Sequence, residues 1–173
     1  MAEHVESKNT VISEKLSADS ISKTNGFLKS IGVFNFDFPD QYETKDSFSE
    51  LTRGFLKVQH IHPGKISCII SVKPPILNVY GSLHGGAVGA VAERVAIACA
   101  RTIVGKDKEL FLGELSISYL SGTTQNAEVI VNASIVRSGR NLTVVAMDFR
   151  LKDSEKLSYI SRATFYHMPV ASL

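Results

Sequence analysis

A chain of 173 residues, 44% hydrophobic and 21% charged, has the size and balance of one globular domain with a real core. The net charge of +2 is too small, and the basic residues too scattered, to point to nucleic acid. No apolar run reaches the roughly 18 residues a membrane span requires; the nearest candidate, Gly85 to Ala100, is shorter and carries Glu93 and Arg94.

Residues 1–18 are polar and unpatterned and read as a mobile tail. The N-terminus holds no apolar core for a signal peptide, and its acidic residues argue against a transit peptide. The terminal Ala171-Ser172-Leu173 only loosely resembles a peroxisomal Ser-Lys-Leu address. The cytoplasm is therefore the expected compartment, with the peroxisome as the alternative. A weak helix is expected from Asp19 to Ser30, capped by Asp19 or Ser20, with Ile21, Phe27, Leu28 and Ile31 on one side and Gly26 weakening it. Phe34, Phe36 and Phe38 alternate before Pro39, which suits a segment covering apolar surface elsewhere. A short helical turn follows near Phe48 to Arg53. Residues 19–54 are thus expected to be a helical and aromatic cover, and residues 55–168 the main domain.

That domain reads as strand-rich. Phe55 to His62 and Lys65 to Lys73 flank the turn signal His62-Pro63-Gly64-Lys65. Pro74-Pro75 then stops the second strand. A helix is expected from Gly85 to Val104, with Gly105 as its stop. Four strands follow: Leu110 to Leu120, Glu128 to Ser138, Asn141 to Lys152 and Lys156 to His167. Imperfect alternation in Leu142 to Leu151 predicts burial on both faces over part of that strand. One very apolar helix with about six antiparallel strands predicts an α+β fold in which the sheet curls around the helix.

The chemistry concentrates in Asn78-Val79-Tyr80-Gly81-Ser82-Leu83-His84-Gly85-Gly86 and the apolar helix after it, whose one carboxylate is Glu93. A carboxylate buried in such a helix is costly unless it is paired, hydrogen-bonded or functional; an ion pair with an Arg is the structural alternative. A helix opening at His-Gly-Gly offers free backbone N–H groups and the positive end of its dipole. The Gly85 N–H could face a developing negative oxygen there, or the motif is simply a helix entry capped by His84. Nine helical residues carry the chain from His84 to Glu93, roughly 13 Å at about 1.5 Å per residue. Glu93 is thus too far to act on a carbonyl held by its own Gly85. Two copies with antiparallel helices would solve this, and small residues on the Glu93 face (Gly86, Gly89, Ala90, with Ile97 and Ala100) would permit the approach. Cys68 and Cys99 read as buried core thiols. His60, His62 and His167 have no metal spacing and read as sheet or surface residues. Asn132-Ala133-Ser134 and Asn141-Leu142-Thr143 match the glycosylation acceptor by chance inside strand patterns.

Asn78-x-x-Gly81-x-x-His84-Gly85-Gly86 with an acid at 93 resembles the PaaI-type hotdog-fold acyl-CoA thioesterases, most of all the small acyl-CoA thioesterase 13 type. The resemblance spans roughly residues 55–168. It implies a hotdog fold and hydrolysis of an acyl-CoA to free acid and coenzyme A. Glu93 would be general base or nucleophile, the Gly85 N–H would be the oxyanion donor with Gly86 beside it in the site, and Asn78 and His84 would orient the thioester or water and brace the loop. Tyr119 and the hairpin Arg137-Ser138-Gly139-Arg140-Asn141-Leu142 would contact coenzyme A, with Arg137 and Arg140 suiting its phosphates; an ordinary solvated hairpin is the alternative there. Neither metal nor cofactor beyond the substrate's coenzyme A is implied. The partner is a second copy in a homodimer, paired again into a homotetramer. One departure stands out: relatives often carry a Ser or Thr near the acid, whereas Ile97 and Leu112-Gly113 hold those positions here, leaving Ser116 or Ser118 as substitutes. A non-catalytic acyl-CoA-binding scaffold, or an acyl-thioester hydratase or dehydratase, are the competing functions.

Overall fold

The computed structural model of the chain describes residues 15–30 and 47–169. Its contacts separate Met1–Ser47 from Phe48–Leu173. In the first unit α1 (Ala18–Ser30) is a solvated helix with no buried residue. Its cap is Ser17 rather than Asp19 or Ser20, since the Ser17 hydroxyl accepts from the Ser20 amide at 3.2 Å. Asp19 is freed to pair with Lys23 at 2.7 Å. Ile31, Phe34, Phe36 and Phe38, the tail before Lys15 and the terminal Ala171-Ser172-Leu173 lie outside the described residues.

The second unit runs through α2 (Ser47–Arg53), β1 (Leu56–His62), β2 (Lys65–Ser71), α3 (Gly85–Arg101), β3 (Lys108–Tyr119), β4 (Glu128–Ser138), β5 (Leu142–Leu151) and β6 (Leu157–Pro169). The strands form one antiparallel sheet in the order β1-β2-β4-β5-β6-β3. Alternation decides the faces. Ile66, Cys68 and Ile70 of β2, Val129, Val131 and Ala133 of β4, Val145, Met147 and Phe149 of β5, and Tyr159, Ala163 and Phe165 of β6 are buried in one cluster. Helix α3 supplies the rest of that cluster through Val88, Val91, Ala92, Val95, Ala96, Cys99 and Ala100. Each fully buried Val or Phe contributes about 1.5–3 kcal/mol of hydrophobic stabilisation. The curled sheet around one apolar helix is the architecture the sequence predicts. In β5 the consecutive Thr143, Val144 and Val145 are all buried, as the broken alternation suggests.

Local differences have local causes. Helix α3 ends at Arg101 rather than Val104, because the Thr102 hydroxyl turns back to the Cys99 carbonyl at 2.7 Å and also accepts the Gly64 amide at 2.8 Å. The β1–β2 turn is thereby pinned to the helix end, with Gly64 at φ 73°. Helical residues Phe48 to Arg53 fall with the sheet unit rather than with the cover: Arg94 of α3 donates to the Ser49 hydroxyl, and Leu51 packs on the core. On the face turned away from α3, the row His60, Ser67, Asn132 and Asp148 borders a hollow of about 420 Å³.

Candidate active site

The segment before α3 is built to present the helix start. Asn78 Oδ1 accepts from the amides of Tyr80 at 3.0 Å and Ser82 at 3.1 Å, and the Gly81 amide returns to the Asn78 carbonyl. This closes a tight turn that needs Gly81 at φ 72°. The next residues are tied into the fold: the Leu83 amide donates to the Thr123 carbonyl and the His84 amide to the Ile76 carbonyl, each at 2.8 Å. Asn78 thus braces the loop with its carbonyl oxygen.

His84 is the N-cap. Its Nδ1 accepts from the Gly86 amide at 2.9 Å, so Nδ1 is unprotonated and serves as the cap, which leaves the Nε2 N–H of the ring as a donor. A Cβ at Gly86 would lie 3.1 Å from Nδ1, which explains the second glycine. The amides of the two glycines are therefore unequal, and the expected oxyanion donor is the open one. The Gly86 N–H is occupied by His84, whereas the Gly85 N–H has no acceptor among the described residues and stands at the positive end of a 17-residue helix. The Gly85 carbonyl accepts from the Tyr119 hydroxyl at 3.0 Å. A Cβ at Gly85 would come within 3.3 Å of the Tyr119 ring. The Tyr119 ring meets Tyr159 edge-on at 5.7 Å, and the Tyr159 hydroxyl donates to Thr123 at 3.1 Å. Burial pushes the Tyr159 phenol up from its ordinary value, so it remains a neutral donor.

Glu93 is exposed in the single chain, not buried. It projects from the side of α3 that leaves the core. Among the described residues no ion pair or hydrogen bond engages it, and the neighbouring Arg94 is directed to Ser49. Gly86 is exposed, and Gly89, Ala90 and Ile97 are half-buried, along the same stripe. Ala100 is a correction: it is fully buried in its own core, since the helix has turned far enough by then to face the sheet. Ser116 and Ser118 are a second correction. They pair with Arg162 and Ile160 on the face turned away from α3, while their neighbours Leu115 and Ile117 pack on the core. Strand alternation keeps both hydroxyls away from Glu93's helix.

The residues expected at coenzyme A do not gather within one chain. Tyr119 ends β3 beside Gly85, whereas the hairpin Arg137–Leu142 meets the start of β3, where Lys108 Nζ donates to the Arg140 carbonyl at 3.3 Å. Eleven steps of β3 separate these ends, roughly 36 Å at about 3.3 Å per residue. Neither the Arg137 nor the Arg140 guanidinium is hydrogen-bonded or ion-paired among the described residues. Strand β3 ends the sheet and is 12 residues long, so among the described residues its outer edge has no strand partner. Cys68 and Cys99 are buried free thiols; burial raises both, Cys99 to about 11, which makes them inert. Among the described residues no group of His, Cys, Asp or Glu could hold a metal, and no helix is long and apolar enough to cross a membrane.

A sheet curled around one long apolar helix has its counterpart in known proteins. The model of the thioesterase superfamily matches residues 80–158. Residues 80–158 are a thioesterase superfamily domain. The chain is 25% identical over 169 residues to Putative esterase F42H10.6 of Caenorhabditis elegans, covering 98% of this chain and 92% of that one. It is 23% identical over 121 residues to human acyl-coenzyme A thioesterase 13, covering 70% and 86%. In structure it superposes on a single-residue variant of the phenylacetic acid degradation protein PaaI from Thermus thermophilus with a TM-score of 0.62 and 22% identity, over 71% of this chain and all of that one. The fold is the hotdog fold. A thioester hydrolase, the enzyme class the motif implies, is the class this superfamily is named for.

Sequence reasoning missed three features. The Tyr119–Gly85 bond joins residues 34 apart, and His167 bonds Thr143 across 24; no local pattern signals either. Ser161 is buried with no hydrogen-bond partner for its hydroxyl among the described residues, which a strand pattern alone does not reveal.

Proposed function

We propose that this protein is an acyl-CoA thioesterase whose site forms between two copies. The reading is carried by the free Gly85 N–H at the start of the helix on which Glu93 stands exposed and unpaired. In the reaction, Glu93 of one copy takes a proton from water as the water oxygen attacks the thioester carbonyl held at Gly85 of the other. The Gly85 N–H stabilises the oxyanion. Collapse of that intermediate breaks the C–S bond and expels the coenzyme A thiolate, which regains the proton from Glu93. Direct attack by Glu93, followed by hydrolysis of the resulting anhydride, uses the same groups. Neither route needs a Ser or Cys nucleophile, because a thiolate is a good leaving group.

The β3 edge supports the dimer. Antiparallel pairing of two β3 strands covers both unpaired edges and sets the Tyr119 end of one copy beside the Lys108 end of the other. The Gly85–Tyr119 end of one chain then meets the Arg137–Leu142 hairpin of its partner, and the open guanidiniums can take the coenzyme A phosphates. Two such dimers pair into a tetramer.

A non-catalytic acyl-CoA binder is favoured by one observation: with Ser116 and Ser118 turned away, no strand hydroxyl stands by to position the water for Glu93. Release of free thiol from short, long and aromatic acyl-CoAs, with the oligomeric state read by sedimentation, decides between them. Turnover by a dimer or tetramer is expected. Binding of acyl-CoA without turnover would leave the scaffold, and turnover by a monomer would overturn the shared site.

A further inference from the structure

At the start of β3 one imidazole ties together two points of the hairpin carrying Arg137 and Arg140, whose Arg140 carbonyl also accepts from Lys108 Nζ at 3.3 Å. His167 of β6 points Nδ1 at the Arg140 carbonyl, 3.1 Å away, and Nε2 at the Thr143 hydroxyl, 2.9 Å away. A carbonyl only accepts, so Nδ1 carries the proton and donates. In the neutral ring Nε2 then accepts from the Thr143 hydroxyl. Thr143 Oγ1 in turn accepts from Ser138 at 2.8 Å. The hydrogen bonds thus run in one direction, from Ser138 through Thr143 and His167 to the Arg140 carbonyl, and both ends of the turn are held. The His167 amide adds a 2.9 Å bond to the Asn141 carbonyl, and Gly139 closes on Leu142 at 2.9 Å. Thr143 is fully buried, so the anchor stands on the core while the Arg137 and Arg140 side chains remain exposed.

Such an arrangement is more than a surface turn needs. Hairpins of this length are ordinarily fixed by their own ladder, and side-chain bonds to a third strand are extra. Here they fix the backbone directly beneath an arginine whose own guanidinium has no partner among the described residues. Fixing the backbone of a charged loop lowers the entropy lost when it captures an anion. We propose that His167 is a positioning residue that presets the Arg140 hairpin for the phosphates of coenzyme A. This rests on the thioesterase reading above. The His167 ring bonds are to Thr143 and the Arg140 carbonyl, so the role proposed for it is in substrate capture and not in the chemical step.

Two variants and two substrates test this. His167→Phe keeps a ring but loses both bonds; His167→Asn returns a side-chain N–H donor at the δ position. Each is assayed with an acyl-CoA and with the same acyl group on pantetheine, which lacks the nucleotide phosphates, and coenzyme A binding is measured by calorimetry in parallel. The expected result for His167→Phe is a rise in KM for the acyl-CoA of about tenfold, an unchanged kcat and an unchanged KM for the pantetheine thioester, with His167→Asn recovering most of the loss. An unchanged KM for acyl-CoA in His167→Phe, or equal losses on both substrates, would overturn the positioning role while leaving the thioesterase reading intact. A native protein that binds coenzyme A but hydrolyses nothing would remove the hydrolase reading alone; the binding loss in His167→Phe then decides the role. A native protein that does not bind coenzyme A would overturn both.

Discussion

The Tyr119 hydroxyl donates a 3.0 Å hydrogen bond to the Gly85 carbonyl, and the Tyr119 ring occupies the space a Gly85 side chain would need. One residue of an edge strand therefore both orients the peptide at the helix start and crowds any side chain there, a Gly85 Cβ coming within 3.3 Å of the ring. Tyr119→Phe removes a bond worth about 1 kcal/mol of stability, so the thermal midpoint should fall by about 2–4 °C, and kcat should fall by up to about fivefold. Gly85→Ala forces the ring aside and should lower kcat further while the protein stays folded. Steady-state kinetics beside circular dichroism checks both.

His84→Ala deletes the cap on the Gly86 amide and should cost about 0.5–2 kcal/mol of stability, read as a lower urea midpoint at constant slope. His84→Asn, whose side-chain oxygen can cap the same helix, should recover most of that stability. If both variants lost activity while only one lost stability, the imidazole would have a chemical role beyond capping.

Removing an unpartnered buried hydroxyl relieves a desolvation cost. Ser161→Ala should therefore stabilise the protein by about 1 kcal/mol, seen as a raised denaturation midpoint. A destabilised variant would mean that the Ser161 hydroxyl has a partner in solution.

The thiols predict an alkaline limit. Burial raises Cys99 from an ordinary value of 9.0 to about 11. The folded state holds its proton more tightly than the unfolded chain, so this contribution to stability is complete below pH 9.0 and is lost as the pH climbs through about 11. Unfolding free energy should decline over that window, and Cys99→Ala should flatten the part of the decline due to that thiol. In the native protein at pH 8, both Cys68 and Cys99 should resist alkylation until the chain unfolds.

Much of this molecule is legible in its sequence because the signals are local. The Pro-Gly turn at 63–64, the apolar stripe of α3 and the alternation in β2 and β4 each fix an element by themselves, and His84-Gly85-Gly86 marks the helix entry on which the proposed site is built. What the sequence hides is set by contacts across the sheet. Which face Ser116 and Ser118 take depends on the register of β3 against β6, which shifts between Leu112 and Glu114. Ala100 follows the i+7 spacing from Glu93 but has rotated into the core. Glu93 is counted as buried when only its neighbours in sequence are considered; in the single chain it faces outward. The separation of Tyr119 from Arg140 is invisible until β3 is seen to carry one at each end.

The central claim is that Glu93 is the group that activates water. Free-thiol release from an acyl-CoA, comparing the native protein with Glu93→Gln at equal oligomeric state, tests it most directly. Loss of general base catalysis is worth about 10²–10⁴-fold in rate. A fall in kcat of that size, with coenzyme A binding and assembly unchanged, is the predicted result. Native-like turnover by Glu93→Gln would contradict the mechanism.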